Sequence, residues 1–77
     1  MGAGVQSITA VGGLSARRVL IIRLLAGGKR PAEIASILGL ARDSVYEHLQ
    51  ESRKAMHVRT NCELVALVAK LGLISPP

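Results

Sequence analysis

Aromatic side chains are almost absent: the chain has one Tyr and neither Phe nor Trp. A core without rings has to be filled by Leu, Ile, Val and Ala, and the abundant Leu and Ala are strong helix formers. Strict alternation of apolar and polar residues, the mark of a half-buried strand, is also missing over any useful length. Acidic charge is scarce, with five Asp/Glu against ten Lys/Arg and a net charge of +5. The resulting isoelectric point is near 10.4. A small basic domain suits an anionic partner, nucleic acid ahead of a membrane surface.

Cysteine is limited to Cys62, which excludes an internal disulfide and fits a reducing compartment. It has no Cys-x-x-Cys partner for zinc. The two histidines, His48 and His57, fall on opposite faces of one helical pattern and converge on no metal. Nucleophilic catalysis needs a base within hydrogen-bond reach of the nucleophile, and no such pairing is visible. No metal, cofactor or enzymatic activity is therefore expected of these 77 residues, which suffice for one small domain with little room for a cleft. Long hydrophobic runs are lacking too. The densest, Val19 to Leu25, is broken by Arg23 and falls far short of the roughly 20 residues that cross a bilayer.

What remains is punctuation. Met1 to Gly13 carries no charge, is rich in Gly and other small residues, and shows no leader pattern; it is read as a flexible tail or linker. Ser15 is a good N-cap and Gly27-Gly28 a stop, which sets a first helix over 15–26. Pro31 suits the first position of a second helix, 31–38, with Gly39 as its left-handed end. A third helix is expected over 42–57 and a fourth over 62–71, capped by Thr60 or Asn61 and stopped by Gly72. Ser75-Pro76-Pro77 is read as a frayed end. The class is all-α. Only Gly39, Leu40 and Ala41 join the second helix to the third, which is the spacing of a helix-turn-helix.

The third helix poses the question of function. Val45, Leu49, Ser52 and Met56 fall on one side of it, with Ser52 as the weak spot of the buried face. Asp43, Tyr46, Glu47, Gln50 and Lys54 fall between about 100° and 200° from Val45, away from that face. A solvated surface would explain such a stripe. A groove-reading surface also explains why its members hydrogen-bond, since Gln pairs with adenine and Glu accepts from cytosine N4. In the fourth helix, Leu64, Leu67, Val68 and Leu71 are assigned to the core. Val65, Ala66 and Ala69 lie opposite, small enough for another helix to approach closely.

From Leu14 to Ile74 the chain resembles the LuxR/GerE-type DNA-binding domain, without a gap. "LSARRVLIIRLLAGG" is similar to that family's LTxRExxVLxLxAxG, "EIASILGLARDSVYEHL" to EIAxxLxLSxxTVxxHL, and "VRTNCELVALVAKLGLI" to its close. The resemblance implies a four-helix helix-turn-helix over 14–74 that inserts its third helix into the major groove of double-stranded DNA. It implies base reading by Tyr46, Glu47 and Gln50, with Asp43 on the same edge. Ser44 and His48 would support the helix and touch phosphate. Lys29 and Arg30, before a helix N-terminus that can face phosphate, would do the same, as would Arg42 and Lys54 on the flanks. The fourth helix would form a weak twofold dimer through Val65, Ala66 and Ala69 on a pseudo-palindromic site, in the bacterial cytoplasm at the nucleoid.

Departures from the family pattern motivate an alternative, a divergent module that acts mainly through protein–protein contacts. Arg18 stands where the family has Glu, so an ion pair is expected to be missing. Arg30 and Ala41 replace capping Ser or Thr, Ser52 replaces Ile or Leu, Ala55 replaces a phosphate-binding Lys and Asn61 replaces Arg. Asp43 and Glu47 place negative charge near phosphates. Val19 and Leu20 replace polar residues and are read as an adjacent apolar pair, a docking surface for a regulatory domain or the transcription machinery.

Overall fold

The structure is a computed structural model that describes residues 14–74. The tail expected over 1–13 and the frayed end expected over 75–77 lie outside the described residues. Four helices follow in order: α1 (Ala16–Ala26), α2 (Pro31–Leu38), α3 (Arg42–Met56) and α4 (Asn61–Lys70). The expected boundaries hold to within a residue.

Two of the four N-termini are capped by side chains. The Ser15 hydroxyl accepts the Arg18 N–H at 3.3 Å and caps α1. Thr60 caps α4 in a reciprocal box: its Oγ1 accepts from the Glu63 N–H, while the Glu63 carboxylate accepts from the Thr60 N–H, both at 3.1 Å. The α2 and α3 caps, Arg30 and Ala41, have the extended φ/ψ of N-caps but make no side-chain bond to the helix. At α2 half of a box survives, because Glu33 Oε1 accepts the Arg30 N–H at 2.9 Å.

All four C-termini close the same way, with a left-handed residue followed by an N–H that reaches back five residues. The bonds are Lys29 N–H to the Leu24 carbonyl (3.1 Å), Leu40 to Ala35 (2.9 Å), Val58 to Arg53 (3.0 Å) and Leu73 to Val68 (3.1 Å). This is the Schellman motif. Its left-handed position is glycine at 28, 39 and 72, but at the end of α3 it is His57, with φ 58°. The third helix therefore stops at Met56 rather than at His57.

The core joins Leu14, Ile21, Ile22, Ile34, Ala35, Val45, Leu49, Leu64, Val68 and Ile74. α3 lies against all three other helices, and α4 also packs on α1. A helix held on three sides has little freedom to turn, and this fixes the direction of its fourth side. Ser52 sits at the buried face with 1% exposure, yet its hydroxyl donates to the His48 carbonyl at 2.7 Å. The polar group at the core is thus satisfied within its own helix.

Two expected surfaces are corrected. Leu71 does not belong to the α4 core stripe: it is 52% exposed, because the helix ends at Lys70 and the chain turns through Gly72 so that Ile74 closes the core instead. Leu67 is only half-buried, whereas Val65 and Ala69, assigned to the outer face, are half-buried and pack against the core. Val19 and Leu20 are not an exposed pair either. Val19 packs against the core and Leu20 alone is exposed, at 39%. A single exposed leucine is ordinary surface.

Candidate nucleic-acid interface

The turn between α2 and α3 is short because Gly39 takes the left-handed conformation, φ 68°, and the chain re-enters helix two residues after Leu40. The buried Ile34 and Ala35 on α2 and Val45 and Leu49 on α3 lock the two helices together. That leaves Asp43, Tyr46, Glu47 and Gln50 exposed on α3, with Tyr46 at 52%. Among the described residues none of these four side chains is engaged in a hydrogen bond or ion pair. The stripe is therefore turned to solvent with its donors and acceptors unspent.

Of the residues expected at phosphates, four lie on α3 and two precede α2. Arg42 opens α3 and Lys54 closes its outer end, both exposed. Lys54 makes a loose pair with Glu51, 3.8 Å apart on a well-solvated surface, a contact of small energy. Ser44 and His48 are half-buried on the flank of α3 that turns toward α1. Lys29 and Arg30 are exposed beside the N-terminus of α2, whose free amides favour an anion. Glu33 in the first turn competes for that same end.

Sequence reasoning missed one member of this surface. Arg18, on α1, donates its Nε–H to His48 Nδ1 at 3.4 Å across the α1–α3 contact. It lines, with Ser44, Glu47, His48, Gln50, Glu51 and Lys54, a polar cleft of about 370 Å³. No local signal in the chain joins residues 18 and 48; only the packing of the two helices does. A second such link connects α3 to α4, where Arg53 Nη1 donates to Asn61 Oδ1. This bond gives Asn61 a role in the fold.

An apolar groove of about 570 Å³ lies between α1 and α4. All three residues assigned to a dimer contact, Val65, Ala66 and Ala69, line it, together with Leu25, Ala26, Asn61 and Cys62. Val65 and Ala69 are half-buried there and Ala66 is exposed. Among the described residues no group of three His, Cys, Asp or Glu side chains is placed to hold a metal ion. Among them, too, no helix is long and apolar enough to cross a membrane.

Comparison with known proteins agrees with the geometry. Over 64 residues the chain is 36% identical to the "HTH-type quorum sensing-dependent transcriptional regulator VjbR" of Brucella ovis and to that of Brucella abortus, covering 83% of this chain and 25% of each relative. The chain thus spans about a quarter of the length of the curated relatives it matches. Residues 13–68 match the family described as "Bacterial regulatory proteins, luxR family". Fold and match together make this a helix-turn-helix module of DNA-binding transcription regulation: the chain belongs to the luxR family of bacterial regulatory proteins.

Proposed function

We propose that the domain binds double-stranded DNA sequence-specifically by laying α3 in the major groove. Asp43, Tyr46, Glu47 and Gln50 read base edges there. Lys29, Arg30, Arg42, Ser44, His48 and Lys54 hold the phosphates on either side. The observation that carries this reading is the exposed stripe of α3. Its side chains are unspent, while the rest of the helix is fixed by three neighbours. Gln50 is the strongest discriminator, because a bidentate amide–adenine pair is worth about 1–3 kcal/mol against the wrong base. Two copies associating weakly along the α4 groove, through Val65, Ala66 and Ala69, would present two reading helices to a pseudo-palindromic site. The setting is the bacterial cytoplasm, at the nucleoid.

A mobility-shift titration of the whole chain tests the assignment. With roughly 4–6 phosphates neutralised per copy, the affinity should fall with salt at a log–log slope of about −4 to −5. Lys29→Gln should weaken every duplex alike. Gln50→Ala should leave mixed-sequence binding intact and relax preference at one position of a site selected from a random pool. Two variants with indistinguishable profiles would remove the basis for these roles.

A second reading draws on a specific feature of the same face. Asp43, Glu47 and Glu51 are all exposed on α3, and negative charge there opposes a DNA backbone. In that reading the module acts mainly through protein contacts, with a regulatory domain or the transcription machinery. Binding to mixed-sequence duplex at low salt weaker than about 10⁻⁴ M, the weak end of non-specific affinities, would favour it.

A further inference from the structure

We infer that Arg18 binds a DNA phosphate from the first helix, with its guanidinium aimed by His48. The inference rests on the DNA-binding reading above. A glutamate at this position would add an acid to the cleft. The cation found there does the reverse. Arg18 on α1 lines one cleft with Glu47, Glu51 and Lys54 of α3, and Lys54 already leans on Glu51. Removing Arg18 would leave this flank of the reading helix net acidic where it meets a backbone of negative charge.

Geometry supplies the rest. The Nε–H of Arg18 is engaged by His48 Nδ1, so the guanidinium plane is pinned along one edge. Its two Nη groups, four N–H donors in all, have no hydrogen-bond partner among the described residues. The edge between those groups matches two oxygens of one phosphate. Accepting at Nδ1 requires that neutral His48 carry its proton on Nε2, a tautomer assigned from this contact. The imidazole then donates from its other side. The Ser44 hydroxyl lines the same cleft. Three donors of different types, from two helices, thus surround one polar opening beside the base-reading stripe.

The whole chain, titrated into a mixed-sequence duplex at several salt concentrations, gives the test. R18Q should weaken all duplexes roughly tenfold, the loss of one charge-assisted contact. It should also flatten the salt slope by about 0.9 per bound copy. R18K keeps the charge and should keep the slope, while the ring ¹⁵N resonances of His48 move because the Nε donor is gone. In the unmodified chain, the Arg18 Nη resonances should shift as duplex is added, a readout that needs no variant to fold. A folded R18Q with an unchanged slope overturns the inference, even if its affinity falls, since Arg18 would then only position His48. Nη resonances unmoved at saturation overturn it as well. A wild-type chain that shows no salt-dependent binding would instead sink the DNA-binding reading itself.

Discussion

Replacing Arg30 by serine should move stability and DNA binding in opposite directions. Arg30 occupies the N-cap of α2 with φ −84° and ψ 157°, the extended backbone a capping residue needs. Its side chain holds only donors and cannot accept from the helix. Ile34 N–H is already bonded to the Arg30 carbonyl at 2.9 Å, and Pro31 has no N–H. The unsatisfied donors of the first turn are therefore those of Ala32 and Glu33. A serine hydroxyl at position 30 would accept from Glu33 N–H and complete a box whose other half, the Glu33 carboxylate on the residue-30 N–H at 2.9 Å, is in place. The cap is worth about 0.5–2 kcal/mol, typically about 1. In a domain of this size about 1 kcal/mol raises Tm by roughly 4–8 °C.

The same substitution deletes a cation beside the α2 N-terminus. If Arg30 neutralises one phosphate, the salt slope should flatten by about 0.9 and affinity should fall for every duplex. Melting followed by circular dichroism at 222 nm and a salt-resolved binding titration read the two effects separately. An unchanged Tm would refute the claim that α2 lacks a cap it could use. An unchanged slope with a raised Tm would refute the phosphate role and leave Arg30 without a reason to occupy a capping position.

Two further substitutions probe the fold on which the interface stands. His57→Gly removes a Cβ from a left-handed residue, φ 58°, and should stabilise by about 0.5–1 kcal/mol, since the relief of a strained L residue exceeds the added chain entropy; a lower melting temperature at pH 8 would show that the imidazole makes a compensating contact. Ser52→Ala should stay within about 0.5 kcal/mol of the parent, because the lost hydroxyl bond to the His48 carbonyl is offset by better helix propensity and by one polar group fewer in the core; a loss above about 2 kcal/mol in urea unfolding would mean that the hydroxyl organises more than its own helix turn.

Most of the architecture was legible because it is written locally. Ser15, Pro31, Gly39 and the Thr60-Asn61 cap position each act within one turn of where they stand, and each marks a helix end found in the structure; that the cap is Thr60, boxed with Glu63, came from the structure. The outward stripe of α3 was legible for the same reason, since helical period alone separates Tyr46 and Gln50 from Val45 and Leu49. The misses share a different character. Which flank of α4 is covered depends on where α1 lies, so Val65 and Ala69 proved half-buried, and Leu71 proved exposed because α4 ends at Lys70 and the chain turns through Gly72. His57 escaped because the left-handed end of a helix is signalled by glycine, and here a residue with a Cβ takes that conformation. Arg18 escaped because its partner, His48, is distant in sequence.

Consistency between local rules and global fold is what gives a chain a single structure, and breaches that remain tend to mark sites kept for another purpose. Three such breaches occur here. Arg30 and Ala41 are uncapped N-caps at the starts of α2 and α3, and Arg18 stands where the family places an acid. A serine or a threonine would satisfy the first turns of α2 and α3 better than Arg30 and Ala41 do. Arg18 and Arg30 add positive charge outside α3, whose exposed stripe carries Asp43 and Glu47. If α3 lies in the groove as proposed, acids on it raise selectivity at the cost of general attraction, because a carboxylate accepts from cytosine N4 but is repelled by every phosphate. Cations placed on neighbouring helices restore that attraction without occupying the groove. On this argument the two acids and the two arginines are one arrangement. Reversing Glu47 alone should then raise affinity for all duplexes and blur the choice among them.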